Sequence, residues 1–337
     1  MALAHPTSAE PLLRVEGLTT ELALDRGRVR AVDDVSFSIR PGETLGVVGE
    51  SGCGKSMMAL SLLGIVPNPP AIVAGGSAWF EGIDLLSLDD RTLRNIRGKR
   101  VSMIFQEPMT ALNPVMTIGG QIAEVCRRHL GYGRAAADKR AVELLERVRI
   151  PDAAARARDY PHQLSGGMRQ RAMIAIALAC DPALLIADEP TTALDVTIQA
   201  QVLQLMADLQ RDQGTALLLI THDLGVIAEM ADRVIVMYAG RKVEEAPVRD
   251  LFREPAHPYT AGLMASAPRL GATTDLDTPL PEIAGRVPAP FELPAGCAFA
   301  PRCPRADPRC HAERPPLGDV GPERTAACWH PLTGDAA

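Results

Sequence analysis

Short runs of consecutive apolar residues alternate along the chain with stretches in which apolar residues recur every three or four positions. The runs at residues 43–48, 101–105, 183–187, 216–220 and 233–237 are too short for helices and show no in-out alternation. They predict strands buried on both faces of a parallel sheet. The helical periodicity is clearest in an insert at about 120–180, with helices predicted over 118–130, over 135–148 and after Gly167. Strands alternating with helices give an α/β domain in which a sheet is covered by helices. No internal repeat is visible, and no apolar run approaches the roughly 18 residues that span a bilayer.

The turn between the first run and the helix after it reads Gly49-Glu50-Ser51-Gly52-Cys53-Gly54-Lys55-Ser56, followed by Met57. This is a complete phosphate loop in its strand–loop–helix setting. Glycines let successive N–H groups and the helix N-terminus face a phosphate chain. Lys55 reaches the outer phosphates, and the Ser56 hydroxyl is placed for magnesium. Cys53 occupies a position that needs backbone more than side chain. The chain therefore binds a nucleoside triphosphate.

Several strand ends carry chemistry suited to hydrolysis. The run at 183–187 ends in Asp188-Glu189, two carboxylates at the edge where ligands of open α/β sheets collect. Asp188 suits magnesium, and Glu189 suits a general base for the attacking water. Gln106 and His222 also follow strands, where they would touch the magnesium sphere and the γ-phosphate; each is weak evidence alone. Leu164-Ser165-Gly166-Gly167-Met168-Arg169-Gln170 precedes a helix and is a second phosphate-reading element. One chain already has its own phosphate loop, so this element implies a second subunit.

With Leu164 to Gln170, Gln106, Ala193-Leu194-Asp195 and His222 in order, residues 12 to 250 resemble the ATP-binding subunits of ABC transporters. The resemblance implies a P-loop NTPase (RecA-like) nucleotide-binding domain with a helical subdomain. It also implies cofactors ATP and Mg2+, and two subunits sandwiching two nucleotides. Ser165, Gly166, Gly167, Gln170 and Asp195 would then serve the partner's nucleotide, and a permease helix would dock beside Gln106 and residues 107–114. One departure stands out: the family usually places an adenine-stacking aromatic some 27 residues before the loop, where this chain has Leu22.

Composition shifts near residue 255. Of 28 prolines, 15 lie from Pro255 onward, with four of the seven cysteines: Cys297, Cys303, Cys310 and Cys328. The expected organisation is an ATP-binding domain over 1–254 and a small Pro/Cys-rich C-terminal domain over 255–337. Gln106 to Pro114, His257-Pro258-Tyr259-Thr260 and this tail are similar to the ATPase subunits of bacterial dipeptide and oligopeptide importers, a group that includes nickel importers. Such a subunit would lie peripherally on the cytoplasmic face of the inner membrane. It would work with a second ATPase, more often a different chain, with two permease subunits, and indirectly with an extracytoplasmic binding protein.

The tail spacing C-x5-C-x6-C-x17-C has no close pair of the ordinary zinc-knuckle kind, and disulfides are not expected in a reducing cytoplasm. Four thiolates suit an iron–sulfur cluster, with zinc or free thiols as alternatives; the resemblance favours a [4Fe-4S] cluster. Cys126 and Cys180 read as helix-packing residues, while Tyr160 and His162 shape the approach to the signature loop. The net charge of -6 and the lack of a basic arm argue against nucleic acid as a partner. No signal-peptide pattern opens the chain, so a soluble cytoplasmic protein is expected. A DNA-repair or chromosome-type ABC ATPase remains the alternative class, but the insert shows no sustained heptads for a coiled coil.

Overall fold

The computed structural model describes residues 10–191, 195–266 and 282–332. The chain forms two compact units, one from residues 1–14, 38–44 and 79–220, the other from 15–37, 45–78 and 221–337. The division does not fall at residue 255. The described residues beyond that point cluster in the same unit as the phosphate loop.

In the first unit, Val101–Ile104, Leu184–Asp188 and Ala216–Ile220 form parallel pairs, with Val101 opposite Leu184 and Asp188 opposite Ile220. Every residue of the three strands is buried, which is why they read as unbroken apolar runs. The expected helical insert is present as Ile118–Leu130, Arg134–Arg147 and Gly166–Ala177, packed on one another. Thr117 caps the first of these through its hydroxyl, accepting from the Gly120 N–H at 3.2 Å, and Gly131 ends it at φ 69°. Cys126 lies buried in this packing, and burial pushes the neighbouring Cys180 up to about 11. Both behave as the packing residues expected.

In the second unit, Thr44–Val48 runs parallel to Arg233–Tyr238, with Val48 opposite Val236. Three antiparallel strands extend this pair: Arg241–Pro247, Arg324–Ala326 and Gly318–Gly321. The last two come from the proline-rich tail, whose weak apolar pattern predicts no strand. A further sheet orders Gly27–Ile39, Leu13–Leu24 and Ala71–Phe80.

The tail is tied down by few but specific contacts. Glu244 is fully buried and accepts from the Ala256 and His257 N–H groups at 2.7 and 2.8 Å. Tyr238, Tyr259 and Phe299 form a packed aromatic group with ring centroids 4.7 to 5.4 Å apart. Such pairs add about 0.5 to 1.5 kcal/mol each beyond the burial of area. Among the described residues no helix is long and apolar enough to cross a membrane.

Phe299 is 2% exposed, so Phe299→Ala is expected to lower unfolding free energy by about 3 to 5 kcal/mol, read by urea denaturation. A loss below about 1 kcal/mol would mean that this aromatic group does not hold the tail.

Candidate functional site

The phosphate loop is shaped by close backbone approach. Gly49 has φ 153°, and a Cβ there would lie 2.2 Å from the Met237 carbonyl oxygen. Gly54, at φ 99°, would put a Cβ 2.3 Å from the Ala31 carbonyl oxygen. Neither position can hold a side chain without moving main chain. Gly54 is the N-cap of the helix Lys55–Leu62, so that helix starts directly at the loop and Ser56 and Met57 form its first turn. The Lys55 ammonium is buried within the loop, donating to the Gly49 and Glu50 carbonyl oxygens at 2.8 and 3.1 Å. Cys53 is 1% exposed, and burial pushes its thiol up, so it is a packing residue with no role as a nucleophile.

Glu50 is anchored in a way its sequence position does not reveal. Its N–H donates to the Tyr259 hydroxyl at 2.9 Å, and its carboxylate forms a two-pronged pair with Arg302 at 2.7 and 3.0 Å. The Glu50 side chain is thus committed to the protein. Tyr259 and Arg302 are site residues that the sequence reading missed; the only signal was the His257-Pro258-Tyr259 segment, quoted as a family mark and not as part of the loop.

In the first unit, Asp188 ends its strand and is buried, while Glu189 follows in the left-handed region at φ 46°. A non-glycine residue there costs roughly 1 to 3 kcal/mol and is held by its surroundings. Here the Glu189 N–H donates to the Ile220 carbonyl at 2.8 Å, and the Gln106 side-chain amide donates to the Glu189 carboxylate at 2.8 Å. Gln106 therefore sits on the expected base. In the second unit His222 is exposed in the turn before the helix Leu224–Met230, which Asp223 caps.

Ser165, Gly166 and Gly167 open the helix Gly166–Ala177, with Ser165 as N-cap accepting from the Met168 N–H at 3.4 Å. Together with Asp195, the N-cap of Val196–Gln213, they line one concave surface. Ser165 and Gly166 are exposed. Gln170 differs from the rest of its group: it is 2% exposed, and its amide donates to the Pro190 carbonyl, so its side chain binds this chain's own Asp188-Glu189-Pro190 turn. Ala193 and Leu194 lie outside the described residues. Tyr160 and His162 stack beside the signature loop with centroids 5.8 Å apart. Leu22 is half-buried on Leu13–Leu24, where it offers apolar surface without an aromatic ring.

Cys297, Cys303, Cys310 and Cys328 line one small cavity, together with His257 and His330. Burial pushes up the thiols of Cys297, Cys310 and Cys328, the last to about 11. Thiols so placed stay protonated until a cation takes the proton's place. A tetrahedral zinc needs sulfurs about 3.8 Å apart, from Zn–S bonds of about 2.3 Å. Among the described residues, the tightest group of possible ligands is instead Asp307, Cys310 and His330, all within 4.8 Å of one another. His330 Nε2 lies 2.9 Å from the Asp307 carboxylate.

A phosphate loop, a strand ending in Asp-Glu, and an exposed Ser-Gly-Gly helix start define an ABC-type ATPase cassette. The ABC transporter family model matches residues 32–192, and the model of the oligopeptide/dipeptide transporter C-terminal region matches 243–310. The chain is 52% identical over 329 residues to a putative peptide import ATP-binding protein of Brucella abortus, covering 95% of this chain and 97% of that protein. It is 48% identical to the oligopeptide transport ATP-binding protein OppD of Salmonella typhimurium over 98% of this chain and 97% of that one. It is 54% identical to AppD of Bacillus subtilis, covering 94% and 96%. Among solved structures, the dimeric ATP-binding cassette MJ0796 in a post-hydrolysis state with ADP and Pi matches with TM-score 0.63 and 28% identity, covering 70% of this chain and 99% of that one. The chain belongs to the ABC transporter family of ATP-binding proteins, in the branch that carries the oligopeptide/dipeptide transporter C-terminal region.

Leu22→Tyr is expected to tighten ATP binding by up to about tenfold by supplying a stacking face. Titration calorimetry on the purified chain checks it, and an unchanged or weaker affinity would remove Leu22 from the adenine site.

Proposed function

We propose that this chain hydrolyses ATP to drive the import of di- and oligopeptides through a membrane permease. The observation that carries the reading is the loop itself: a buried lysine on the Gly49 and Glu50 carbonyls, at the start of a helix whose N-cap is a left-handed glycine. The peptide class rests on the names of relatives about half identical over nearly the whole chain.

The roles follow from the chemistry of phosphoryl transfer. The N–H groups of the loop and Lys55 hold the β- and γ-phosphates. Ser56, Asp188 and Gln106 are the residues that would hold magnesium, which would supply positive charge against the phosphate oxygens. Glu189 accepts a proton from the attacking water, and Gln106 holds its carboxylate in line until the γ-phosphate arrives. His222 donates to the γ-phosphate. Ser165, Gly166, Gly167 and Asp195 close over the nucleotide of a second ATPase subunit, which is a different chain in the arrangement we favour. Two permease subunits dock beside Gln106 and residues 107–114, at the cytoplasmic face of the membrane. An extracytoplasmic binding protein supplies the peptide. A nickel importer uses the same machinery and is the second reading; nothing in the nucleotide site separates the two.

The four tail thiols hold a [4Fe-4S] cluster in this reading. Their joint lining of one cavity supports it, as does the lack, among the described residues, of any three of them spaced for a single zinc. Such a group supplies cross-linking in place of an apolar core. The mixed Asp307, Cys310 and His330 set supports zinc as the competing occupant.

Glu189→Gln is expected to bind ATP, accumulate the closed dimer and lose turnover by at least about a hundredfold. Phosphate release in the assembled transporter measures this, and undiminished hydrolysis removes Glu189 from the role of base. Anaerobically purified protein is expected to contain iron and sulfide with absorbance in the visible, both lost in Cys297→Ser. Stoichiometric zinc, retained in Cys297→Ser and lost in His330→Ala, would overturn the cluster.

A further inference from the structure

Glu50 places a carboxylate inside a loop that must receive a triphosphate. Left unpaired, that charge opposes the ligand. The structure pairs it with Arg302, whose side chain is 4% exposed. The guanidinium is held from every side: Nε donates to the Ala284 carbonyl at 3.0 Å, and Nη2 donates to the Ile283 carbonyl at 3.0 Å as well as to Glu50. Nη1 donates to the other Glu50 oxygen and lies 3.4 Å from the Tyr238 hydroxyl. The Phe299 and Tyr238 rings flank it. One residue before Cys303, this arginine has a fixed orientation that matches a carboxylate in its plane.

The same tail fixes Glu50 a second time. The Tyr259 hydroxyl accepts the Glu50 N–H, and Tyr259 is fully buried against Tyr238 and Phe299. Lys55 takes the Glu50 carbonyl. All three polar parts of this loop residue are thus occupied, two of them by residues more than 200 positions away in sequence.

We propose that Arg302 and Tyr259 are positioning residues for the phosphate loop: the C-terminal segment neutralises and orients Glu50, and thereby sets the chain's affinity for ATP. This rests on the reading of the chain as an ATPase and adds a role for the tail that no part of the nucleotide site requires. It also makes the pair a matched set. An acid at position 50 is tolerated because the arginine is there, so the effect of losing the arginine depends on whether the acid remains.

The test is ATP affinity by titration calorimetry on the full chain, with circular dichroism to verify folding. Removing a two-pronged charged contact in Arg302→Ala is expected to weaken ATP binding about tenfold. In the double variant Glu50→Gln with Arg302→Ala, affinity is expected to return to within about threefold of the parent, since the exposed charge has gone. A purely structural role for Arg302 would give no such rescue. Wild-type affinity in folded Arg302→Ala, or a double variant as weak as the single one, overturns the proposal. Should Arg302→Ala not fold, Arg302→Lys keeps the charge and loses the fork; about threefold weakening is expected and unchanged affinity overturns the proposal. Tyr259→Phe, which leaves the Glu50 N–H without its acceptor, is expected to weaken binding about threefold. Failure of the parent chain to bind ATP would instead overturn the ATPase reading, so the two failures are distinct.

Discussion

The close approach of main chain to main chain at the phosphate loop is the constraint on which the second unit is built. A loop that exposes successive N–H groups has to curl tightly, and here its outer wall is the Met237 carbonyl, 2.2 Å from where a Cβ of Gly49 would stand. That carbonyl is in place because Thr44–Val48 pairs with Arg233–Tyr238 in a register that sets Val48 opposite Val236. A one-residue slip would invert every side chain of the strand and withdraw the wall. The next residue after Met237 is Tyr238, whose ring anchors the aromatic group of the tail. One strand therefore supports the loop strand, shapes the loop and docks the C-terminal segment. The sheet, the nucleotide loop and the tail cannot vary independently.

In the first unit, two polar side chains converge on the turn that carries the expected base. Gln106 reaches the Glu189 carboxylate from the end of Val101–Ile104, and Gln170 reaches the Pro190 carbonyl from the signature helix. The turn itself is strained, with Glu189 at a positive φ, so its geometry depends on neighbours. The signature helix packs on Ile118–Leu130 and Arg134–Arg147, so Gln170 links the helical insert to Pro190. Contacts from two different elements thus end on consecutive residues, Glu189 and Pro190.

Much of this was legible in the sequence where a physical rule forces a local pattern. Strands buried on both faces are unbroken apolar runs, so the strands at 101–104, 184–188, 216–220 and 233–238 lie within a residue or two of expectation. The loop glycines, Lys55 and Asp188-Glu189 are legible because phosphate chemistry limits what can stand there. What was not legible depends on contacts between distant positions. The Glu50–Arg302 pair spans 252 residues and the Gln106–Glu189 bond 83. Nothing in the local pattern around Arg302 distinguishes it from the other arginines of the tail. Gln170 was grouped with the exposed signature residues because sequence adjacency hides which way a helical side chain points. The strands Gly318–Gly321 and Arg324–Ala326 escaped notice because they add to an existing edge through backbone bonds, which require no apolar alternation.

That last point explains how a segment so poor in apolar residues can hold a defined conformation. Backbone ordering costs roughly 1 to 2 kcal/mol per residue, and Phe299, Tyr259 and a few alanines cannot offset that over the described part of the tail. The remaining contributions are polar. The added strands pair with Arg241–Pro247, the buried Glu244 satisfies two N–H groups at the start of the segment, and Arg302 ties its middle to the phosphate loop. Around the cysteines, four thiols and two histidines share one cavity with Phe299 of the aromatic group. A metal group bound there would add a cross-link to the aromatic and backbone contacts. Burial pushes up the thiols of Cys297, Cys310 and Cys328, which keeps them neutral and packed as small apolar groups until a cation displaces their protons. A cation that took the place of their protons, as proposed above, would also steady the backbone from which Arg302 reaches Glu50.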